Sequence, residues 1–413
     1  MKKILSEKIS GKFNWKTVLI VILCAAVLLI LAFCARTKEE PAEIDRETPD
    51  TVSEAPKAED TIDPEDFRMS TFDNAVITYL CDNGYESENF LISPVSLRAA
   101  LCLAAAGAQG NTRTELVTAA GFSGMETFNG WYSGLNKSAA YRVQNSVWTD
   151  MDLIGPFSAT YEANVKERYD AGVFSYTSDE MNQATDDWLR EKTEGAVTGT
   201  QNLSGVSSAL VNTLYLQADW RNSFSEATGF EGTFTGADGS ERTLDYMERT
   251  GEYYYVEEDG VKVLVMSLED GLSFVCFLGN RTGRFDKVTG LQKENVHVVL
   301  PRITLASTFD GKDLVSFLLS RGVNDAISPQ TANFYNMCQN SDWYVQEVVQ
   351  EIRLETSEQG VGTAAPSVTA DAPGNVEDAE AKEFIVDGPC SFAIFSGFGT
   401  DSQYMLLYGQ LMQ

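Results

Sequence analysis

A helix with no solvent-facing side constrains the fold of this 413-residue chain more than any other feature. Ser93 and Pro94 precede the run 97–106, which is apolar on nearly every face. Serine is a preferred N-cap residue, and proline suits the first helical position because its missing N–H is not needed there. A helix that is apolar all round must be enclosed by other elements. We therefore expect a layered core large enough to surround this helix.

A second fully buried element is predicted further along the chain. Residues 209–216 are nearly continuously apolar apart from a central Asn212, as expected of a strand covered on both faces. Alternating segments follow it, and they are separated by three hairpin signals, Asp238-Gly239, Asp259-Gly260 and Asp270-Gly271. Because helical patterns come first and strands follow, the sequence predicts an α+β fold rather than a doubly wound sheet.

Charge and histidine content exclude several classes of function. Sixty acidic residues against thirty-one basic ones give a formal charge of −29, which argues against a nucleic acid partner. The single histidine, His297, lies in an alternating strand-like stretch, so neither a Ser-His hydrolase nor a multi-histidine metal site is expected. The seven cysteines show no CxxC spacing, and Cys102 and Cys276 lie in apolar runs typical of buried small hydrophobes. We expect neither enzymatic activity nor a metal or other cofactor.

The N-terminal 66 residues divide into three segments. Residues 1–17 are basic, and residues 18–34 hold an apolar run near the minimum length that spans a bilayer. The basic flank should stay in the cytoplasm, which places the remainder outside the cell at the membrane. The run is either an uncleaved anchor or a signal ending in a lipoprotein box with Cys34 lipidated; because Phe33 is bulky for such a box, we favour the anchor. Residues 35–66, rich in Glu, Asp, Pro and Thr, read as a solvated linker to a globular domain at 67–413.

Five stretches in the globular part carry a family resemblance. They are residues 89–107 with their continuation to Glu115, 210–216 with Trp220 and Phe224, 300–302 with Phe309-Asp310, 348–355 with 358–360, and 405–409. In this order and spacing they resemble the serpin family of serine protease inhibitors, here of bacterial type. The resemblance implies three β-sheets, about nine helices and an exposed reactive-centre loop at about 358–386, in a protein that acts as a monomer.

The resemblance also implies a suicide mechanism. A target protease cleaves the loop and forms an acyl-enzyme, and the freed loop then inserts as a new strand into the large sheet and distorts the protease. The native state would therefore be held kinetically rather than at its free-energy minimum. The alternative that the residues leave open is a non-inhibitory serpin with a binding or structural role at the cell surface.

The family's sheet-opening residues map onto five positions of this chain. The resemblance assigns Ser93, Ser96, Asn212 and Gln350 to a polar cluster beneath the large sheet, and Trp220 to the top of that sheet, where the loop first enters. Without the resemblance, the first four would read as a satisfied polar core and the tryptophan as core packing. The family usually has a histidine where Gln350 stands. Glutamine can still donate and accept hydrogen bonds, but we expect pH-sensitive opening to be lost.

The hinge of the loop maps onto Glu358, Gly360, Val361, Thr363, Ala364 and Ala365. Alternate residues from Val361 onward are small or β-branched and would share one face of an inserted strand. Two residues oppose insertion, since Pro366 lacks a backbone donor and Asp371 falls on the inward face. The composition also fits an ordinary flexible surface loop. We favour an active inhibitor because residues 361–370 carry no charge.

Counting from Glu358 as in active family members places the reactive bond at Gly374-Asn375. Counting back from Pro389 gives a bond a few residues later, so the window also includes Ala372, Pro373, Val376, Glu377 and Asp378. No Arg or Lys occurs between positions 361 and 381, which excludes a trypsin-like target because such enzymes pair a substrate cation with a buried carboxylate. Small residues favour an elastase-like, subtilisin-like or papain-like protease.

Overall fold

A computed structural model describes residues 67–68, 70–197, 203, 205–279, 287–309, 312–338, 342–363, 381–400 and 402–413. The predicted basic segment, membrane segment with Cys34, and linker lie outside these residues. No α-helix in the described ranges is long and apolar enough to cross a membrane. The described ranges contain seven α-helices: α1 (Thr71–Leu80), α2 (Pro94–Gly107), α3 (Gly110–Ala119), α4 (Met125–Tyr132), α5 (Ala159–Tyr169), α6 (Ser178–Lys192) and α7 (Lys312–Ser320).

The strands form three sheets, as the resemblance implies. They are β1 (Phe67–Arg68), β2 (Phe90–Ile92), β3 (Tyr141–Asp150), β4 (Gly172–Tyr176), β5 (Ser208–Asp219), β6 (Phe230–Thr235), β7 (Glu241–Glu258), β8 (Val261–Ser267), β9 (Leu272–Leu278), β10 (Lys287–Val288), β11 (Gln292–Pro301), β12 (Thr304–Phe309), β13 (Glu347–Thr356), β14 (Gly360–Gly362), β15 (Lys382–Ile385), β16 (Cys390–Ser396) and β17 (Tyr404–Leu411).

The two large sheets enclose the predicted all-apolar helix. The six-stranded sheet runs β12-β13-β14-β5-β3-β4, and the nine-stranded sheet runs β15-β11-β7-β8-β9-β16-β17-β2 with β6 on β7. A two-residue pair, β1 with β10, makes the third sheet. Helix α2 contacts β3 and β5 of the first sheet and β17 of the second. This arrangement confirms the layered core that the helix required.

Helix α2 begins and ends as its sequence predicts. The Ser93 side chain accepts a hydrogen bond from the Ser96 N–H, and every helix residue except Arg98 and Ala106 is buried. The Arg98 guanidinium stacks 4.2 Å from the Phe122 ring centroid, which lets a cation sit at the edge of the core. A side chain is disfavoured at the end of the helix, because a Cβ on Gly107 would lie 2.8 Å from the Met337 Cβ, which cannot rotate away.

Strand β5 is the predicted central strand, with a covered face on each side. Leu210, Leu214 and Leu216 belong to the main core, while Ala209 and Val211 pack in a second core that includes Trp188 of α6. The hairpin predictions are also confirmed: Asp259 and Asp270 have left-handed φ angles of 52° and 56° in the turns that flank β8. The five cysteines in the described ranges, 81, 102, 276, 338 and 390, are buried and unbridged. Burial raises the pKa of the Cys102 thiol well above its ordinary value.

Both ends of the predicted loop at about 358–386 form strands in the structure. Residues 360–362 form β14 inside the six-stranded sheet, and residues 382–385 form β15 at the edge of the nine-stranded sheet. Both ends are therefore paired with other strands, and an exposed loop through the whole range is wrong. The reason is tertiary, because β14 pairs with residues 217–219 of β5 and β15 pairs with residues 296–299 of β11, both far away in the sequence.

Candidate functional site where the large sheet divides

The six-stranded sheet changes its pairing along β5 and β13. At one end, residues 347–350 of β13 pair directly and in parallel with residues 209–212 of β5. At the other end, β14 lies between them: Gly360–Gly362 pair with β5, while Val361 and Gly362 also pair with β13. We call this region the fork, with its closed end at the Asn212–Gln350 pair and its open end at β14.

The hinge enters the open end of the fork as a buried strand. Val361 is fully buried and Thr363 is 1% exposed. The Thr363 backbone N–H donates to the Leu216 carbonyl oxygen at 2.8 Å, so pairing extends one residue beyond β14. The two residues predicted to share the inward face are thus both buried. Ala364 and Ala365, and with them Pro366 and Asp371, lie outside the described residues.

Gly360 is required by a close approach of two backbones. A Cβ at this position would lie 2.2 Å from the Ala218 carbonyl oxygen and 2.8 Å from the Asp219 Cα. Backbone atoms cannot rotate away as a flexible side chain can. Any other residue at position 360 would therefore push β14 away from β5.

An ion pair fixes the turn that leads into β14. The Glu358 carboxylate accepts hydrogen bonds from Arg302, with Nε at 3.1 Å from Oε1. Glu358 is 3% exposed, and its carbonyl oxygen accepts from the Phe224 N–H at 2.9 Å. The same ion pair lines a cleft of about 820 Å³ that Arg242 and Glu355 also border. A buried carboxylate of this kind needs its charged partner, since an unpaired buried charge is strongly destabilising.

Gln350 is the centre of a buried polar cluster at the closed end. Its Oε1 accepts from the Ser93 backbone N–H at 2.7 Å, and its Nε2 donates to the Ser93 carbonyl at 3.0 Å and to Asn212 Oδ1 at 2.5 Å. Asn212 in turn donates to the Val349 carbonyl at 2.9 Å. Ser93, Asn212 and Gln350 are fully buried. The side-chain amides of Asn212 and Gln350 each donate and accept a hydrogen bond within the cluster.

The two serines connect this cluster to neighbouring elements. The Ser93 hydroxyl donates to the Leu406 carbonyl of β17 at 2.6 Å and lies 2.8 Å from the Ser96 hydroxyl. Ser96 reaches the Thr213 carbonyl of β5 at 3.4 Å. One cluster therefore joins the start of α2 to β5, β13 and β17, at the point where direct β5–β13 pairing stops.

Comparison with known proteins identifies the family. The family model described as "Serpin (serine protease inhibitor)" matches residues 77–413, most of the chain. This chain belongs to the serpin family. It is 25% identical to "Leukocyte elastase inhibitor A" of Mus musculus over 347 residues, 74% of this chain and 89% of the relative. It is 25% identical to "Neuroserpin" of Mus musculus over 343 residues, 72% of this chain and 82% of that one.

The solved structures confirm the serpin fold. The complex of thyroxine-binding globulin with thyroxine superimposes with a TM-score of 0.71 at 21% identity, covering 83% of this chain and 97% of that one. At that identity the likeness concerns the fold alone. The α+β serpin architecture predicted from the sequence is thereby confirmed.

Trp220 lies at the other end of the fork from the cluster around Gln350. It lies just beyond β5 at the open end of the fork, where its indole N–H donates to the Ser357 carbonyl at 2.8 Å and its backbone N–H to the Gln359 carbonyl at 2.7 Å. Its ring packs edge-on against Phe274 at 5.4 Å. In this serpin Trp220 therefore contacts the turn that precedes the hinge, which agrees with a position at the top of the sheet.

Two polar contacts of the fork were missed from the sequence. Thr213 donates from its hydroxyl to the Glu351 carbonyl at 2.7 Å, which bridges β5 and β13 one step beyond their last backbone pair. Arg302 holds Glu358, although the sequence marked it only as part of a family stretch. The role of Thr213 could have been suspected from its polarity, because it stands next to Asn212 in an apolar strand. Nothing in the sequence indicated that Arg302 pairs with Glu358.

The far end of the loop is attached to the other large sheet. Strand β15 pairs in parallel with residues 296–299 of β11. His297, on β11 as predicted, has Nδ1 3.2 Å from Glu383 of β15 and Nε2 3.5 Å from Glu248 of β7. Within the described ranges no group of three or more His, Cys, Asp or Glu residues could hold a metal. The predicted bond Gly374-Asn375 and its window, 372–378, lie outside the described residues.

Proposed function

We propose that this serpin is a monomeric suicide inhibitor of proteases that prefer small residues, held at the outer surface of a membrane. The observation that carries the proposal is β14: the first residues of the loop already form a strand between β5 and β13. The remainder of the loop would continue that strand in the same register. The inserting strand then does not have to start from an unpaired segment. Its first pairings, those of β14 with β5 and β13, exist before cleavage.

The chemistry uses the loop as substrate. The serine or cysteine of the protease attacks the Gly374 carbonyl carbon, the bond to Asn375 breaks, and the new amine of Asn375 takes the proton. The acyl-enzyme remains on Gly374. The segment from Thr363 onward, now free at that end, would extend between β5 and β13 and carry the protease with it.

The closed end of the fork would resist this movement until the loop is cut. For the strand to pass Gln350, the backbone pairs between 347–350 and 209–212 must separate. The hydrogen bonds from Asn212 to Val349 and from Gln350 to Asn212 must break as well. New ladder bonds from the inserted strand would replace the backbone pairs.

The loop sequence supports a small-residue target. Residues 361–381 contain no Arg or Lys, and the bond window includes the small residues Ala372, Gly374 and Val376. Three relatives have protein names that refer to inhibition of leukocyte elastase. We therefore propose an elastase-like, subtilisin-like or papain-like target.

The test is to incubate the protein with pancreatic elastase, subtilisin and papain and to resolve the products on a denaturing gel. We expect a covalent complex that survives denaturation, and mass spectrometry should locate the cut within 372–378. Ala365→Arg should block insertion and convert the inhibitor into a substrate. Ala381→Arg, at the end of the loop that does not insert, is the matched control. Nicking by every protease without any complex would sink the inhibitory proposal.

The membrane attachment is tested separately. We propose that residues 18–34 anchor the protein, with lipidation of Cys34 as the alternative form of attachment. The full chain should stay with membranes on alkaline extraction. Retention of a Cys34→Ser variant indicates an anchor, whereas its release indicates a lipid. Release of the unsubstituted protein would contradict both.

A non-inhibitory binding serpin is the second candidate. Pro366 would remove one ladder hydrogen bond, and Asp371 would place a carboxylate on the inward face. The discriminating measurement is the melting temperature before and after the loop is nicked. A large rise shows that the loop inserts, and an unchanged value favours this second function.

A further inference from the structure

A groove lies between helix α6 and the outer strands β3 and β4 of the six-stranded sheet. Its volume is about 510 Å³. Its walls are aromatic and come from all three elements: Trp148 of β3, Phe174 and Tyr176 of β4, and Trp188 of α6. The Trp148 ring centroid is 4.4 Å from that of Phe174 and 6.5 Å from that of Trp188, which stands edge-on at 82°.

The rim of this groove is acidic. Asp179, Glu180, Asp187 and Glu191 line it, and none of the lining residues is basic. Asp187 pairs with Arg190 and Glu191 with Lys192, but both pairs are exposed and therefore weak. The rim keeps a net negative potential beside aromatic rings, whose faces also attract cations.

Trp188, which lines this groove, carries a buried hydrogen-bond donor without a partner in the described part of the chain. Trp188 is 5% exposed, and its indole N–H meets no acceptor within the described part of the chain. Buried donors of this kind are nearly always paired in native proteins. A ligand that carries a carbonyl oxygen close to its cation would supply the missing acceptor after a small shift of the ring.

We propose that this groove binds the Lys or Arg side chain of a basic peptide segment. The cation would lie against the aromatic walls and the carboxylates of α6, and a peptide carbonyl would accept from Trp188. A purely apolar occupant would desolvate the carboxylates without compensating charge, and a nucleic acid would be repelled by them. The groove lies beyond β5 from the hinge, so this inference does not depend on inhibition of a protease.

The experiment uses the full chain in neutral detergent, labelled with 5-fluorotryptophan. The chain has six tryptophans, and the fluorine signal of Trp188 is assigned by its loss in Trp188→Phe. The probe is Nα-acetyl-lysine methylamide, and the uncharged comparison is Nα-acetyl-norleucine methylamide. We expect the Trp188 and Trp148 signals to shift saturably with the lysine probe, with a dissociation constant on the order of 1 mM.

Two further measurements isolate the charge. The double variant Asp179→Asn, Asp187→Asn should weaken binding about threefold or more, since both side chains are exposed and their loss leaves the fold intact. The matched control changes two exposed aspartates in the hairpin turns, Asp259→Asn and Asp270→Asn, and should bind as the unsubstituted protein does. Raising the salt from about 0.05 M to about 0.5 M should also weaken binding.

Three results would overturn the proposal. They are no shift of the Trp188 signal at saturating lysine probe, an equal shift with the norleucine probe, or unchanged affinity in the Asp179 and Asp187 double variant. The control pair guards against a general effect of net charge, because each double variant removes two negative charges.

Discussion

The two ends of the fork are held by different kinds of interaction. At the open end, β14 is seated by a backbone contact that only glycine allows, and the turn before it is held by the Arg302–Glu358 ion pair. At the closed end, neutral hydrogen bonds centred on Gln350 join α2, β5 and β13, with no ionisable side chain among Ser93, Ser96, Asn212 and Gln350. The comparison teaches that charge holds the open end of the fork, whereas neutral hydrogen bonds hold the closed end.

The largest effect is expected from Gly360→Ala. The added Cβ would collide with the backbone of Ala218 and Asp219, so β14 should leave the sheet. Hydrogen exchange should then speed up at the Thr363 amide, whose acceptor is Leu216, and the protein should behave as a protease substrate. Gly388→Ala is the control, because its nearest atom, the Thr235 carbonyl oxygen, is at an ordinary 3.5 Å. Unchanged exchange at Thr363 would mean that the two backbones can separate without releasing the hinge.

The closed end is tested by Gln350→Leu. This change leaves the Ser93 N–H and the Asn212 Oδ1 without partners in a fully buried site, so the free energy of unfolding should fall by about 3 kcal/mol. The fall should not depend on salt. Thermal unfolding measured at low and high salt checks both statements, and a loss that grows or shrinks with salt would contradict the neutral character of this end.

Gln350→His sharpens the same comparison by adding a titratable group. Burial disfavours the charged imidazole and would lower its pKa below the ordinary value. The unfolded state then binds more protons than the folded state, so stability is full at neutral pH and falls as pH drops from about 7 to about 5. Unfolding curves across that range, measured beside the unsubstituted protein, provide the test. Parallel curves for the two proteins would show that the site tolerates a charge.

The open end is tested by Glu358→Gln. The carboxylate is buried but Arg302 is partly exposed, so the loss should be moderate, about 1–2 kcal/mol, and should shrink as salt screens the unsubstituted pair. Melting temperature against salt for both proteins is the measurement. A salt-independent difference would show that hydrogen bonding, rather than charge, holds the turn.

The smallest effect concerns pH, and it arises away from the fork. Burial raises the pKa of Asp73, at the start of α1, from its ordinary 3.8 to about 6, although Arg98 and Ser70 oppose the shift. The folded state therefore binds more protons than the unfolded state, and stability falls as pH rises from about 4 to about 6. Asp73→Asn should flatten this decline and raise stability at neutral pH by about 1 kcal/mol. An unchanged slope would assign the pH dependence to another group.

The residues of the closed end could be predicted from the sequence, whereas the strand pairing at the open end could not. Ser93, Asn212 and Gln350 were named from family stretches, and polar residues in apolar runs must find partners, so their meeting was foreseeable. Trp220 was matched to the top of the sheet, and it does lie at the open end of the fork, but its hydrogen bonds to Ser357 and Gln359 depend on the tertiary fold. The pairing of residues 360–362 was unforeseen, since a Gly-rich segment has no periodicity that distinguishes a strand from a loop.

By itself, the sequence determined the elements whose patterns are local. These are the enclosed helix α2 with its Ser93 cap, the central strand β5, the Asp-Gly turns, and the absence of a cation in the loop. Only the tertiary structure decided where the sheet divides, why residue 360 must be glycine, and which cation faces Glu358. The physical reason is that those features depend on contacts between backbones and charges far apart in the chain, and no local pattern encodes the distance between them.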